Sequence, residues 1–300
     1  MKIRDKKTII SWIILLALMI TWGSSFILIK RGLEVYSDVE VGALRICITF
    51  IVFIPFINRF SKIKANQWKY LAVVGIVGSG APAFLFAKAQ TGIDSNLAGI
   101  LNSLTPLFTL IISISLFRVK SRMINILGVI IGLIGAVGLI FVSGDKGFEF
   151  NFSFAIYVII AAICYAISVN FVKNYLQDID SLTITAFSFL IIGLPVLIYL
   201  IFFTDFTNHL VSNNRALEGL GYISILAIVG TGIALTAFNY LVKITNAVFA
   251  SSVTYLVPIV AIIWGKIDGE KFKLIYIIWI VLILFGVFLV NKKKKKKNAE

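Results

Sequence analysis

The sequence predicts an all-α polytopic membrane protein in which ten transmembrane helices form a five-plus-five inverted repeat. Three observations lead to this fold class: apolar runs of membrane-spanning length, an internal duplication, and cationic residues that concentrate in alternate loops. Of the 300 residues, 59% are hydrophobic and only 14% are charged, and the mean hydropathy is +0.99. The apolar runs fill the chain so completely that no separate soluble domain is expected.

Apolar runs recur along the whole chain. Each is long enough to cross the ~30 Å hydrocarbon core of a bilayer as a helix, and the alternating pattern of a barrel strand is absent. The first run follows a basic cluster, as in a signal peptide, but it is too long for one and its end is duplicated within the chain. We therefore predict retained spans at approximately residues 9–29, 41–57, 70–89, 97–117, 124–143, 153–171, 182–203, 220–241, 248–265 and 273–291.

Two stretches of the sequence occur twice. Residues 78–98 match residues 230–250 at a constant offset of 152, and residues 22–30 match residues 165–173 at an offset of 143. Duplicated membrane modules with glycine and proline breaks at matching positions are typical of secondary transporters. The chain therefore divides into a first module, a second module and a basic tail that we predict to be cytoplasmic, at residues 1–145, 150–291 and 292–300.

Lysine and arginine are distributed unevenly between the two sets of alternate loops, 19 against 8, and Arg45 lies within a span. Positive residues stay on the cytoplasmic side of a membrane, so we predict cytoplasmic termini in a bacterial inner membrane. With five spans per module, the two copies must have opposite orientations. Because topology explains the net charge of +14, we expect the lipid bilayer as a partner and no nucleic acid.

Glycine and proline interrupt spans three, four, eight and nine at matching positions. Proline frees a carbonyl group within a helix, which membranes tolerate where a neighbouring helix or a cavity satisfies the backbone. The pattern favours loosened helices around a central cavity, where gating would occur, although ordinary packing kinks are an alternative. The helix-breaking residues are Gly78, Gly80, Pro82, Pro106, Gly230, Gly232 and Pro258.

Four glycines share one face of span five, at positions 128, 132, 135 and 138. Small residues at this spacing let another helix approach closely. We interpret this face as a helix-packing surface, either within the fold or at a homodimer contact.

Polar and aromatic side chains lie deep in several spans. Amides and hydroxyls in hydrocarbon need partners, so most should face the protein interior. A pocket for a small amphiphilic solute is one interpretation, and hydrogen bonding between helices is the other. The candidate substrate-binding residues are Trp22, Ser25, Arg45, Asn102, Tyr165, Asn170, Asn239 and Tyr255.

Charged residues are scarce inside the spans. Every Asp and Glu falls in a loop, a tail or the edge of a span, so direct proton coupling through a buried carboxylate is not expected. Lys30, Arg45 and Lys88 lie near the predicted outer face. They form an electropositive funnel for anionic solutes, or they reach the surface and pair with neighbouring acids. Those acids are Glu34, Asp38, Glu40 and Asp94.

Short motifs follow one another in a characteristic order. Residues 22–26 (WGSSF) lie late in the first span, residues 43–45 (ALR) follow in the second, and residues 269–271 (GEK) follow the ninth. In this order they resemble the EamA-type branch of the drug/metabolite transporter superfamily, which commonly has Gly-Glu-Arg at the last position. The resemblance covers essentially the whole chain. One departure is residues 118–120 (RVK), which lack the glutamate in the first module.

The resemblance implies ten helices, with helices 1, 3, 4, 6, 8 and 9 around a central cavity, and an alternating-access mechanism. Members mostly export amino acids, other metabolites or toxic compounds. By the same resemblance, Arg45 is an entrance residue. The implied cavity-lining residues are Trp22, Ser25, Asn102, Tyr165, Asn239 and Tyr255.

We predict a secondary transporter that moves a small organic solute, as an exporter, without a cofactor or a metal. An integral-membrane enzyme is the main alternative. However, the single histidine, His209, lies in a loop, and the spans contain no paired carboxylates or metal-spaced Cys/His set. A channel and a non-transporting membrane assembly protein are further alternatives.

Overall fold

The computed structural model describes residues 3–119, 122–142 and 148–291. Within these ranges the regular structure is helical and contains no strand. The predicted basic tail, 292–300, lies outside the described residues. The long helical segments are, in chain order, α1 (Ile3–Leu33), α2 (Asp38–Lys62), α3 (Ala65–Gln90), α4 (Ser95–Ser115), α5 (Met123–Val142), α6 (Phe148–Tyr175), α7 (Ser181–Phe203), α8 (Ala216–Ile244), α9 (Ala247–Ile267) and α10 (Ile275–Asn291).

Eight of these segments, counted over the described ranges, are long and apolar enough to cross a membrane. The exceptions are α5 and α10, whose described apolar stretches, Met123–Leu139 and Ile275–Gly286, are shorter. Large apolar side chains such as Met123 and Phe202 are exposed on the helix surfaces, which suits contact with lipid. The described residues therefore form a helical, multi-pass membrane protein, in which eight helices have membrane-spanning length where the sequence predicts ten spans.

Polar residues before the helices define where several of them begin. Ser37 and Glu40 form a reciprocal capping box before α2, in which the Ser37 Oγ accepts from the Glu40 backbone N–H at 3.3 Å. The Asp180 carboxylate caps α7 by accepting from the Thr183 backbone N–H at 3.0 Å. These side chains satisfy N–H groups that have no partner within a helix, which fixes the first turns at the edges of the bundle.

Equivalent helices of the two halves make equivalent contacts. The first helix of one half, α1, packs against α8 and α9, and its counterpart α6 packs against α3 and α4. Two other extensive contacts between described helices pair a helix with its own counterpart, α2 with α7 and α5 with α10. Each half thus completes its core with helices of the other, so neither half forms an independent bundle.

The glycine face of α5 packs within the fold. A Cβ atom on Gly286 of α10 would lie 2.5 Å from the Gly132 nitrogen and 2.6 Å from the Gly128 oxygen, both in α5. A Cβ atom on Gly138 would lie 2.2 Å from the ring of Trp279 in α10. The backbones approach this closely only because the side chains are absent. Of the two interpretations of the glycine pattern, contact within the fold describes these positions.

Candidate functional site

Four helices leave α-helical geometry near the middle of the bundle. Helix α3 is π-helical at Ile76–Gly80, and α8 is π-helical at Ile228–Ile233. Helix α4 breaks between its two α-helical parts, Ser95–Asn102 and Thr105–Ser115, and α9 passes through a 3₁₀ turn at Ser252–Tyr255. Interruptions of this kind free backbone groups and are frequent at functional sites. The two π-helical turns contain the duplicated glycines Gly78, Gly80, Gly230 and Gly232.

Proline follows three of these breaks. Pro82, Pro106 and Pro258 each lie in the first turn of the α-helical part that resumes after the break. Proline is tolerated there because the first turn has no carbonyl partner for the missing N–H. The prolines therefore restart the helices and do not interrupt an otherwise continuous hydrogen-bond ladder.

A small cavity, with about 70 Å³ open to the centre of a water-sized sphere, lies between the helices that carry these breaks. Residues of α1, α2, α3, α4, α6, α7, α8 and α9 line it, so α2 and α7 join the six helices that the resemblance implies. Six of the eight predicted site residues line the cavity together: Trp22, Ser25, Arg45, Asn102, Tyr165 and Asn239.

The other two predicted site residues, Asn170 and Tyr255, are not among the residues that line this cavity. The Asn170 amide donates to the Thr109 carbonyl at 3.1 Å and accepts from the Ser113 hydroxyl at 2.7 Å, which joins α6 to α4. Tyr255 is half-buried and packs against the apolar core. Interhelical hydrogen bonding, the alternative interpretation of these polar residues, describes Asn170.

Several hydroxyl residues line the cavity although the sequence did not single them out. Their types gave no signal, because a Ser or Thr within an apolar helix is able to bond its own preceding carbonyl group. The additional hydroxyl residues are Ser79, Thr105, Thr185, Ser188, Ser251 and Thr254.

Arg45 lies in the cavity wall and is 8% exposed. Its Nε donates to the Thr231 hydroxyl at 2.7 Å, and that hydroxyl donates to the Leu226 carbonyl at 2.9 Å. The Tyr165 hydroxyl also interacts with the guanidinium group. The π-helical turn of α8 thus positions Thr231, and Thr231 orients the arginine.

The two other cations near the predicted outer face are paired with acids and do not line the cavity. Lys88 Nζ lies 3.4 Å from the Asp38 carboxylate, one of the neighbouring acids. Lys30 Nζ instead reaches the far half of the chain, 2.6 Å from Asp268 and 2.9 Å from Glu270. Ion pairing, and not an electropositive funnel, describes both lysines.

Glu270 caps the N-terminus of α4 from the loop after α9. Its carboxylate accepts from the Ser95 backbone N–H at 3.1 Å, the Ser95 hydroxyl at 2.6 Å and the Asn96 backbone N–H at 3.0 Å. Anions are stabilised at helix N-termini by unpaired N–H groups and the helix dipole. This glutamate therefore joins α1, α4 and α9 near one end of the cavity.

The opposite junction is built differently. The N-terminus of α9 is capped by its own Asn246, whose side chain accepts from the Phe249 N–H at 2.9 Å. Lys173, the duplicate of Lys30, donates to the carbonyl groups of Val242 at 3.1 Å and Thr245 at 2.7 Å. The first module lacks the equivalent glutamate in its sequence. At the corresponding junction, neutral backbone carbonyl groups accept hydrogen bonds from the lysine instead.

Each π-helical turn contacts the first helix of the opposite half. A Cβ atom on Gly78 would lie 2.2 Å from the Ser168 Oγ, and one on Gly230 would lie 2.9 Å from the Ser25 Oγ. These glycines are duplicates of each other, as are the two serines. Trp22 adds a hydrogen bond from its Nε1 to the Gly230 carbonyl at 3.0 Å. The same contact between the halves is thus made twice.

His209 lies on the short helix Phe206–Ser212, away from the cavity lining. Its Nδ1 is 3.0 Å from the Glu40 carboxylate, which is 1% exposed. The histidine is thus partly exposed and also pairs with a buried acid. In the part of the chain that the structure describes, no three His, Cys, Asp or Glu side chains are grouped to hold a metal ion.

The fold and the cavity define the class: a multi-pass helical membrane protein whose two halves enclose a chamber between them. The chain belongs to the EamA-like transporter family, which matches it twice, at residues 9–141 and 152–292. This finding places the chain in the family that its motifs resemble.

The similarity to known proteins extends over nearly the full chain. An uncharacterized transporter of Archaeoglobus fulgidus is 24% identical over 284 residues, covering 94% of this chain and 99% of the relative. The uncharacterized inner membrane transporter YedA of Escherichia coli strain K12 is 26% identical over 287 residues, covering 93% and 90%. A solved crystal structure with 16% identity aligns at a TM-score of 0.67 over 94% of this chain and 96% of that one. At this low identity, the similarity to the solved structure shows a shared fold.

Proposed function

We propose that this protein is a secondary transporter that exports a small organic solute by alternating access. The observation that carries the proposal is the cavity, which is bounded by residues of eight helices from both halves and by three of the four helix breaks. Cavities lined by apolar and aromatic side chains with convergent polar groups are typical of small-molecule sites. The solute is an amino acid, a related metabolite or a toxic compound.

The proposal includes the ten-helix, five-plus-five inverted repeat with both termini in the cytoplasm. The reciprocal contacts between α1 and α8 and between α6 and α3 support it. So do the duplicated glycine–serine contacts across the halves. In such a repeat each half is able to adopt the conformation of the other, which exchanges the open and closed ends of the chamber.

The six predicted residues in the cavity wall are proposed to bind the solute, and the four duplicated glycines, with the prolines that follow the breaks, to form the hinges. Asn170 and Tyr255 are proposed to hold helices together instead. The cavity lining contains no Asp or Glu, so no carboxylate is in place to carry a proton with the solute. We therefore expect flux of the substrate to persist when the proton gradient is collapsed.

A counterflow screen in proteoliposomes tests the proposal. Vesicles loaded with an amino acid, nucleoside, sugar or organic acid are diluted into the labelled compound, with and without an imposed pH gradient. We expect saturable counterflow for one solute class. Flux that does not saturate would indicate a channel, and chemical turnover of a solute without its movement would indicate a membrane enzyme. A strict requirement for the gradient would contradict the uncoupled cycle.

A further inference from the structure

The cavity wall contains a single formal charge. Of the residues that line the chamber, Arg45 is the only one charged at neutral pH, and no described residue forms an ion pair with it. A charge that is removed from water requires a partner of opposite sign or a strong hydrogen-bond network. The chamber therefore carries a net positive charge that the protein itself does not compensate.

The groups that contact Arg45 are neutral. The Thr231 hydroxyl oxygen accepts the hydrogen bond from Arg45 Nε, and the Tyr165 hydroxyl interacts with the same guanidinium group. A guanidinium group carries five N–H donors in a planar fork that matches the two oxygens of a carboxylate. The hydrogen bond from Nε fixes the orientation of this fork, whereas its charge stays available to a ligand.

A second polar group in the wall also lacks a partner. The Ser188 hydroxyl is 2% exposed, lines the chamber and makes no hydrogen bond. Buried polar atoms in folded proteins are almost always paired. An unpaired hydroxyl in the lining of a cavity therefore indicates a ligand with a polar group of its own.

Aromatic rings form much of the remaining wall. The centroids of Trp22 and Phe238 are 5.1 Å apart, those of Phe26 and Phe86 are 5.6 Å apart, and Tyr165 stacks on Phe86 at 5.9 Å. Such faces bind apolar and aromatic groups. They would also attract an organic cation, but the Arg45 charge in the same chamber repels one.

We infer that the solute is an organic monoanion, with a carboxylate bound by Arg45 and an apolar or aromatic body against the rings. This inference rests on the proposed transport function. A zwitterion satisfies Arg45 equally well, but its ammonium group finds no carboxylate in the lining. Amino acids should therefore bind more weakly than the corresponding acids that lack the amino group.

A matched ligand series tests the charge preference on the unmodified protein. Propanoate, 3-phenylpropanoate and indole-3-propanoate are compared with their amides, which are neutral, and with the amines and amino acids of the same skeletons. Equilibrium binding to the purified protein in detergent is measured for each. Because only the anion adds a charge–charge attraction and presents two oxygens to the guanidinium fork, we expect at least one anion to bind about tenfold more tightly than its amide. Equal binding of anion and amide, or no binding of any anion, would overturn the inference.

Two variants then test whether Arg45 causes the preference for the anion over its amide. Arg45→Gln should remove the difference between anion and amide, whereas Arg45→Lys keeps the charge and should keep most of it. Lys88→Gln is the control, because it removes a cation that is paired with Asp38 outside the cavity lining. An anion preference that survives in a folded Arg45→Gln protein would refute the role of Arg45.

Counterflow of the same compounds separates this inference from the proposed function. Counterflow of other solutes without an anion preference would leave the transporter in place and remove the substrate class. An anion that binds at Arg45 but shows no counterflow would support the binding site and contradict transport of that compound.

Discussion

The hydrogen bond between Arg45 and Thr231 links the cavity charge to the break in α8. Thr231 lies in a π-helical turn, and its hydroxyl is held by the Leu226 carbonyl while it accepts from Arg45. The bond to Leu226 spans five residues, whereas a threonine in an α-helix bonds the carbonyl group three or four residues before it. The orientation of the charge therefore depends on local backbone geometry as well as on the arginine itself.

Thr231→Val should weaken substrate binding and transport without unfolding the protein. The valine has a similar shape but offers no acceptor to Arg45 Nε. Hydrogen bonds to charged groups contribute about 1.5–3 kcal/mol, so we expect a loss of affinity on the order of tenfold or more, measured by counterflow at varied solute concentration. Thr231→Ser should restore most of it.

Thr236→Val is the matched control for that substitution. Thr236 lies on the same helix, its hydroxyl bonds only the Gly232 carbonyl, and it does not line the cavity. Equal effects of the two valine substitutions would show that the Arg45 contact is not responsible.

Residue types alone predicted part of the wall. Asn102 and Asn170 are both amides in apolar spans, yet one lines the cavity and the other joins two helices. The difference depends on which side of a helix faces the neighbours, and composition does not show it. Arg45 was recognisable because a cation within a span is costly; the sequence made it a candidate for substrate binding, and the resemblance implied a place at the entrance.

The helix breaks of α3 and α8 require glycine where they contact the other half. Gly78→Ala would place a Cβ atom 2.2 Å from the Ser168 Oγ and 2.9 Å from its Cβ. Overpacking of this kind costs about 1–3 kcal/mol, so we expect a lower midpoint of thermal unfolding in detergent and reduced transport.

Two further variants separate the contact from a general effect of alanine. Gly221→Ala, in the α-helical part of α8 and with nothing within 4 Å of the added atom, should be neutral or slightly stabilising because alanine favours helices. Ser168→Gly should rescue the Gly78→Ala protein. Additive losses in the double variant would argue against this contact.

Glu270 joins three helices near one end of the cavity, and its carboxylate side chain is 2% exposed. Glu270→Gln leaves the Lys30 ammonium with Asp268 alone and weakens the caps on Ser95 and Asn96. Loss of charged hydrogen bonds at a buried site costs about 1–3 kcal/mol. We therefore expect a lower unfolding midpoint, with partial recovery when Lys30→Gln is added.

Glu218→Gln provides the surface comparison, because Glu218 is exposed and pairs with the exposed Arg215. It should change the unfolding midpoint much less. Similar shifts for the two substitutions would show that Glu270 acts as an ordinary surface charge.

At the scale of elements, the sequence predicted where the helices change geometry but not how. Glycine and proline marked the positions, because glycine lowers the stability of a regular helix and proline removes one of its hydrogen bonds. Whether a helix responds with a π turn, a 3₁₀ turn or a short break depends on its neighbours. The Glu270 contact was likewise outside the reach of the sequence, since its partners lie more than 170 residues away.

The whole molecule consists of two interdependent halves. Its all-helical class followed from hydropathy, and the duplication indicated which helices are equivalent. The pairing of α1 with α8 and α9, and of α6 with α3 and α4, required the structure. These contacts between the halves explain why a cavity forms between them and why helices from both contribute to its wall.

Cysteine accessibility at duplicated positions tests the inverted arrangement most directly. Asp94 and Asn246 are equivalent, at the starts of α4 and α9, and both are exposed. In a background of Cys47→Ser and Cys164→Ser, each is replaced by cysteine and treated in intact cells with a membrane-impermeant maleimide. We expect Asp94→Cys to react at once, and Asn246→Cys to react only after permeabilisation, as should Asn66→Cys at the start of α3. Reaction of Asp94→Cys and Asn246→Cys from the same side would contradict the inverted repeat and the alternating-access carrier built on it.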